Sequence, residues 1–177
     1  LPDLFATSAE VAACRPVLEA IRAAGGRTYL VGGFVRDLVL DWLTAEKHES
    51  KDVDWEVFGL PPDKLRAILD HFGNAILTNG DFPVFFLTNH ERTINEVQFS
   101  VPRTERSIGD GHTDFETTAR PDMTPAEAVR RRDFTLGGLM CDPFENRVID
   151  LIGGVDDLKA KRLRHIDDQT FGDDPLR

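Results

Sequence analysis

The sequence is poor in several features that would assign it to a broad class at once. Only two cysteines occur, Cys14 and Cys141. Without paired spacing they form neither a disulfide framework nor a zinc site, and a reducing cytoplasm is the expected compartment. No apolar run approaches the roughly 20 residues that span a bilayer, so no membrane role is expected. The opening LPDLFATSAE lacks the basic-then-apolar layout of a signal peptide. Repeats and low-complexity segments are missing too. Basic charge is scarce: 21 Lys and Arg stand against 31 Asp and Glu, a net charge of −10. A self-sufficient RNA binder usually presents a basic face. An acidic chain can still handle phosphates through metal ions and local arginines, but gripping a large RNA would call for basic surface from elsewhere.

What is present suits about one domain: 177 residues, 41% hydrophobic and 29% charged. The chain starts at Leu1, without methionine, and stops at Arg177 inside what reads as a new helix. A piece of a longer protein, or a short relative of one, is expected. Apolar positions Val11, Cys14, Val17, Leu18, Ile21 and Ala24 predict one helix from Ser8, its N-cap, to Gly25-Gly26. A strand follows over Thr28–Val31, then Gly32-Gly33 opens a helix through Leu43. Asp52–Phe58 alternates carboxylate and apolar residues, a half-buried strand. Pro61-Pro62 starts a helix to about His71. Strands are expected at Val84–Thr88 and Thr93–Val101, joined by a turn over Asn89–Arg92. Arg103–Asp122, polar and rich in Gly and Thr, reads as a mobile loop. Thr124-Pro125-Ala126-Glu127 is a capping box. Asp142–Asp150 reads as a hairpin and Val155–Lys161 as a short helix. The pattern predicts an α+β fold, a mixed sheet of about five strands with helices mainly on one face. Trp42, Trp55 and the phenylalanines are expected in the core. His48, His71, His90, His112 and His165 are scattered singly and receive no metal role.

Two constellations carry chemistry. Gly32-Gly33 at a strand-to-helix turn lets backbone approach a ligand closely, and the helix N–H groups then face a phosphate. Arg36, one turn into that helix, reaches the same region. On the next strand the period of two puts Asp52 and Asp54 on one face. Two carboxylates there can hold Mg²⁺ and leave coordination positions for water and phosphate oxygens. Taken alone, a Gly-Gly is usually a turn, an Asp-x-Asp usually surface charge, and Arg130-Arg131-Arg132 usually a solvated helix end. Their order and spacing together are far more specific.

GGFVRD followed by KDVDW resembles the first motif of the nucleotidyltransferase superfamily in its class II tRNA nucleotidyltransferase branch, which holds CCA-adding enzymes and bacterial poly(A) polymerases. Further segments match in order. Asp81-Phe-Pro-Val-Phe, Pro102-Arg103-Thr104-Glu105-Arg106 and Gly111-His112 resemble family segments around the flexible loop. Arg131-Arg132-Asp133-Phe134-Thr135, Asp150-Leu-Ile-Gly-Gly-Val-Asp-Asp157 and Asp173-Asp174-Pro-Leu-Arg177 resemble later motifs. The resemblance implies a polymerase-beta-like catalytic head over residues 1–165, with 166–177 starting a helical neck. It implies that Gly32, Gly33 and Arg36 bind a triphosphate, that Asp52 and Asp54 hold Mg²⁺ (Mn²⁺ as the alternative), and that Arg132 and Asp133 recognise a ribose. Asp174 and Arg177 would offer acceptor and donor to a base edge. Cytosine and adenine, each with an amino donor beside a ring-nitrogen acceptor, satisfy that pair. The implied activity is template-independent addition of CMP and AMP from CTP and ATP to the 3′ end of tRNA, releasing pyrophosphate.

Three positions depart from the family pattern. Leu136-Gly137-Gly138 stands where Ile-Asn-Ala is usual. The third catalytic carboxylate commonly lies where this chain has Gln98, which cannot act as a base; Glu96, on the same strand face, is the substitute candidate. Asp173 replaces a glutamate. Poly(A) synthesis is the nearest rival activity, a non-catalytic nucleotide- or RNA-binding relative is the alternative of a different class, and transfer to a small molecule or protein is a third.

Overall fold

The computed structural model describes residues 3–48, 50, 52–77, 84–89, 94, 97–107, 115–168 and 171, with backbone alone at 105–107 and 115–116. In chain order the elements are α1 (Ala9–Ala13), α2 (Arg15–Ala23), β1 (Arg27–Val31), α3 (Gly33–Thr44), β2 (Asp54–Phe58), α4 (Pro62–Leu69), β3 (Asn74–Leu77) and β4 (Val84–Thr88). They continue with β5 (Val97–Ser100), β6 (Arg103–Ser107), β7 (Phe115–Ala119), α5 (Pro125–Val129), a 3₁₀ turn at Thr135–Gly138, β8 (Met140–Asp142), β9 (Arg147–Ile149) and α6 (Gly154–Lys159).

Seven strands form one sheet in the order β3-β4-β5-β2-β1-β8-β9. Every pairing is antiparallel except that of β2 with β5. The α+β mixed sheet is as expected but larger than five strands. The hairpin β8–β9 extends it beyond β1, and β3 forms an edge that the sequence did not suggest. Its four residues, Asn-Ala-Ile-Leu, bury only Ala75, too little for an alternation signal.

Alternation along the strands separates two faces. Leu30, Trp55, Val57, Phe85, Leu87, Val97, Phe99 and Cys141 point into the main core, where α2, α3 and α4 supply Val17, Leu18, Ile21, Val35, Leu38, Val39, Leu65 and Leu69. On the opposite face a smaller cluster joins Tyr29, Val31, Phe58 and Met140 to Met123, Ala128 and Val129. Helices therefore lie mainly on one side, with α5 alone closing part of the other. Thr124 begins α5 with the expected capping box, its hydroxyl accepting from the Glu127 backbone while Glu127 bonds back.

Two local expectations are corrected. The single helix predicted from Ser8 is two helices meeting at Cys14. Pro16, in the first turn of α2, lacks the N–H that would continue α1. Ser8 does cap α1, accepting from Glu10 and Val11. Residues 103–122 are not simply a loop. β6 and β7 pair antiparallel from Arg103↔Ala119 to Ser107↔Phe115, a ribbon so polar that it gives no apolar alternation to read. The turn after Asn89 and the outer part of the predicted strand from Thr93, including Glu96, lie largely outside the described residues.

The tryptophans also divide. Trp55 is fully buried, whereas Trp42 on α3 is 61% exposed. Cys14, beside the Trp55 indole, is buried and its thiol is pushed up to about 12 by desolvation. Trp55→Ala is expected to cost about 3–5 kcal/mol through lost burial and a cavity. Trp42→Ala should stay within roughly 0.5 kcal/mol. Urea unfolding of the two variants checks the contrast.

Candidate active site

The site begins where β1 turns into α3. Gly32 adopts φ 76° and ψ −152°, a conformation reserved for glycine. A Cβ placed on it would sit 3.0 Å from Asp54 Oδ2. The bare backbone thus brings the N-terminus of α3 against the first residue of β2. The helix is 12 residues long, and its free N–H groups are donors for an anion. Arg36 lies one turn in, bonded through Nε to Asp37 Oδ1 at 2.8 Å. Its guanidinium would be 3.5 Å from a Cβ on Gly33, so Gly32, Gly33 and Arg36 share one mouth.

Asp54 is the centre of the arrangement. It is paired across the sheet with Val31 on β1 and Gln98 on β5, and its Oδ1 is buried with no hydrogen-bond partner. Burial, and then the charge of Asp52, push its pKa up, while Arg132 pulls in the other direction. Asp52 is exposed just before the strand. A buried carboxylate oxygen left bare is costly unless a cation or donor arrives. Among the described residues no group of three His, Cys, Asp or Glu side chains could enclose a metal. Asp52 and Asp54 nonetheless fit Mg²⁺, an ion that usually takes one or two carboxylates and fills its shell with water and substrate phosphate.

Arg132 reaches the same sheet face by an ion pair that residue types alone did not reveal. Its Nη2 donates to Glu56 Oε2 at 3.3 Å, and its Nη1 to the Gly137 carbonyl at 3.3 Å. Both side chains are largely shielded, 23% and 12% exposed, so this pair outweighs a solvated helix end. Glu56 follows Asp52 and Asp54 at the period of two, and that third acid on one face was the available signal. Asp133 folds back to accept from the Phe134 backbone N–H at 2.7 Å.

A buried network holds this turn. Asp157 is fully buried and accepts from Thr135 Oγ1 at 2.6 Å, Arg162 Nε at 2.6 Å and Arg164 Nε at 2.8 Å. The Thr135 bond, with the two guanidiniums, holds its carboxyl at about 2 despite burial. Thr135 N also donates to Arg164 O, and Ile166 N to Asp133 O. Asp150 accepts from the backbone of Ile152, Gly153, Gly154 and Val155, capping α6. Gly138 has a packing reason: a Cβ there would meet the Ile152 side chain at 2.5 Å.

The structure therefore brings Gly32, Gly33, Arg36, Asp52, Asp54 and Arg132 to one end of the sheet, with Asp133 next in the chain. Gln98 stands in register beside Asp54, and no proton acceptor occupies its position. Glu96, Asp174 and Arg177 lie outside the described residues.

The poly A polymerase head domain family matches residues 28–164. The chain belongs to that family. The head is 37% identical over 151 residues to the Multifunctional CCA protein of Xylella fastidiosa strain M12, an alignment covering 85% of this chain and 32% of the relative. It superposes on the Bacillus stearothermophilus CCA-adding enzyme in complex with CTP with TM-score 0.72 at 20% identity, over 96% of this chain and 37% of that one. For the Thermotoga maritima CCA-adding enzyme complexed with tRNA the TM-score is 0.66 at 24% identity, covering 94% and 35%. The chain spans about a third of the length of the curated relatives it matches. These likenesses establish a nucleotidyltransferase-type head fold. Among the described residues, no helix of the head is long and apolar enough to cross a membrane.

Gly32→Ala is expected to cost about 1–3 kcal/mol in backbone strain, with its Cβ crowding Asp54 Oδ2, read by urea denaturation. For Asp157 the sign follows from its lowered pKa. The carboxylate stabilises the fold above its ordinary value near 3.9, and that contribution fades as pH falls towards about 2. Asp157→Asn should lower the Tm at pH 7 and flatten the acid limb between roughly pH 4 and 2, measured by calorimetry across pH.

Proposed function

We propose that the head transfers CMP and AMP from CTP and ATP to the 3′ end of tRNA, without a nucleic-acid template, as part of a CCA-adding protein. The observation that carries this reading is Asp54, whose Oδ2 lies against Gly32 at the start of α3 while its buried Oδ1 has no hydrogen-bond partner, within a family whose relatives are named for CCA addition. The backbone N–H groups after Gly32 and Gly33, with Arg36, hold the triphosphate. Asp52 and Asp54 would hold Mg²⁺ or Mn²⁺, which when bound would supply positive charge to the phosphoryl oxygens. Arg132, fixed by Glu56, and Asp133 receive the ribose. Asp174 and Arg177, at the start of a helical neck from residue 166, read the base edge. A carbonyl in place of the amino group, as in guanine or uracil, would leave Asp174 unpaired. The acceptor 3′ oxygen bonds to the α-phosphorus, the bond to pyrophosphate breaks, and the hydroxyl proton passes to a base, for which Glu96 is the candidate. The cytoplasm, where two buried free thiols stay reduced, is the matching compartment.

The test is incorporation by the full-length natural protein on tRNA lacking its 3′ end, with Mg²⁺ and CTP or ATP, singly and together. Addition of two C and then one A is expected. Asp54→Ala should reduce it by on the order of 10²–10³-fold, several kcal/mol of lost charge stabilisation. Long A-only tails would replace this reading by poly(A) synthesis. CTP binding without incorporation would replace it by a non-catalytic role.

A further inference from the structure

The register of the sheet sets one row of residues on the catalytic face. It runs Ile76, Phe86, Gln98, Asp54, Val31, Met140, Ile149 from β3 to β9. Asp54 divides it into two unlike halves. On the β1–β8–β9 side the face is closed, because Met123, Ala128 and Val129 cover Tyr29, Val31 and Met140. Among the described residues, neither core cluster extends over the β5–β4–β3 side of this face. Ile76 is 54% exposed, Phe86 and Gln98 are half-buried, and neither core cluster takes in Phe86. Phe85 and Leu87, its neighbours on β4, are buried in the main core, so the strand is anchored while Phe86 stays outside.

Gly32 and the α3 N-terminus place the triphosphate on the β1 side of Asp54. Displacement at phosphorus is in line, so the attacking oxygen enters opposite the leaving group, from the β5 side. Phe86 stands two strand spacings, about 10 Å, from Asp54, a separation that one nucleotide bridges. No Asp, Glu, Lys or Arg occurs in β3, β4 or β5, although the chain has 31 acidic residues. A polyanion crossing this strip meets an aromatic face, an aliphatic edge and the neutral donor and acceptor of Gln98, without the repulsion met elsewhere. Base–aromatic stacking is sequence-tolerant, which suits an acceptor end whose terminal base is not the same throughout the additions.

We infer that the strip Ile76–Phe86–Gln98 is the platform for the terminal nucleotide of the acceptor strand, with the Phe86 ring as its stacking face. This rests on the transferase reading above for the placement of the triphosphate. The test uses the full-length natural protein and a 3′-shortened tRNA ending in 5-iodocytidine. Irradiation of the binary complex should crosslink the terminal base to Phe86, mapped by mass spectrometry. Phe86→Leu, which keeps the apolar volume, should lose the crosslink and raise the acceptor KM about tenfold, while CTP affinity stays within twofold. Phe86→Trp should retain both properties. A crosslink on the β1–β8–β9 side, or an acceptor KM unchanged in Phe86→Leu, would overturn the platform. Crosslinking at Phe86 without any incorporation leaves the platform standing and removes the transferase reading; incorporation without that crosslink does the reverse.

Discussion

The architecture depends on keeping a carboxylate inside a sheet with one oxygen bare. Asp54 sits on a central strand, flanked by β1 and β5, where desolvation works against its charge. Such a group persists only if its surroundings are held in place independently of it. The main core does this from the other face: Trp55 and Val57, the alternate residues of β2, are completely buried among α2, α3 and α4. The strand cannot rotate to let Asp54 reach water without exposing Trp55. Gly32 completes the constraint, because a Cβ at that position would sit 3.0 Å from Asp54 Oδ2. The helix N-terminus, with its free N–H groups, and the acid then face one space.

The second half of the site is remote in sequence and reaches the sheet through polar contacts. Arg132 bonds Glu56 and the Gly137 carbonyl; the turn it introduces is tied by Thr135 to Asp157, and through Arg164 and Ile166 to the segment leading out of the head. A buried carboxylate with three donors is stiff, since losing any donor exposes the full desolvation cost of the others. Asp157 therefore positions the turn that carries Asp133 without approaching the reacting groups.

How much of this was legible followed from how local each signal was. The Gly-Gly turn and Asp-x-Asp strand were readable because glycine geometry and strand periodicity act within a few residues, and the capping box at Thr124 was readable for the same reason. The break at Cys14 was missed because the apolar spacing continues through it, although Pro16 marked it. The β6–β7 ribbon was hidden because a two-sided polar strand has no apolar alternation. Trp42 was assigned to the core on residue type, yet its place on α3 turns it to solvent. Pairing of Arg132 with Glu56, 76 positions apart, and of Asp54 with Gln98 in the one parallel register, are products of topology. No window of sequence contains them.

The net charge of −10 is therefore a poor guide to the site. Its acids are mostly neutralised in place: Asp37 by Arg36, Glu56 by Arg132, Asp157 by Arg162 and Arg164. Asp52 and Asp54 lie where a divalent cation fits, and the strip beyond them on β5, β4 and β3 carries no charge. For a polyanionic substrate the relevant field is local, because exposed charges beyond about 8–10 Å are screened at physiological salt. An acidic head can thus work on nucleic acid provided that its negative charge is either paired or reserved for the metal. The same arrangement gives the head itself little nonspecific grip on RNA, since its arginines near the site are already occupied by acids. On the transferase reading proposed above, affinity for a whole tRNA would come from basic surface outside this head, and the head would orient the two reacting ends.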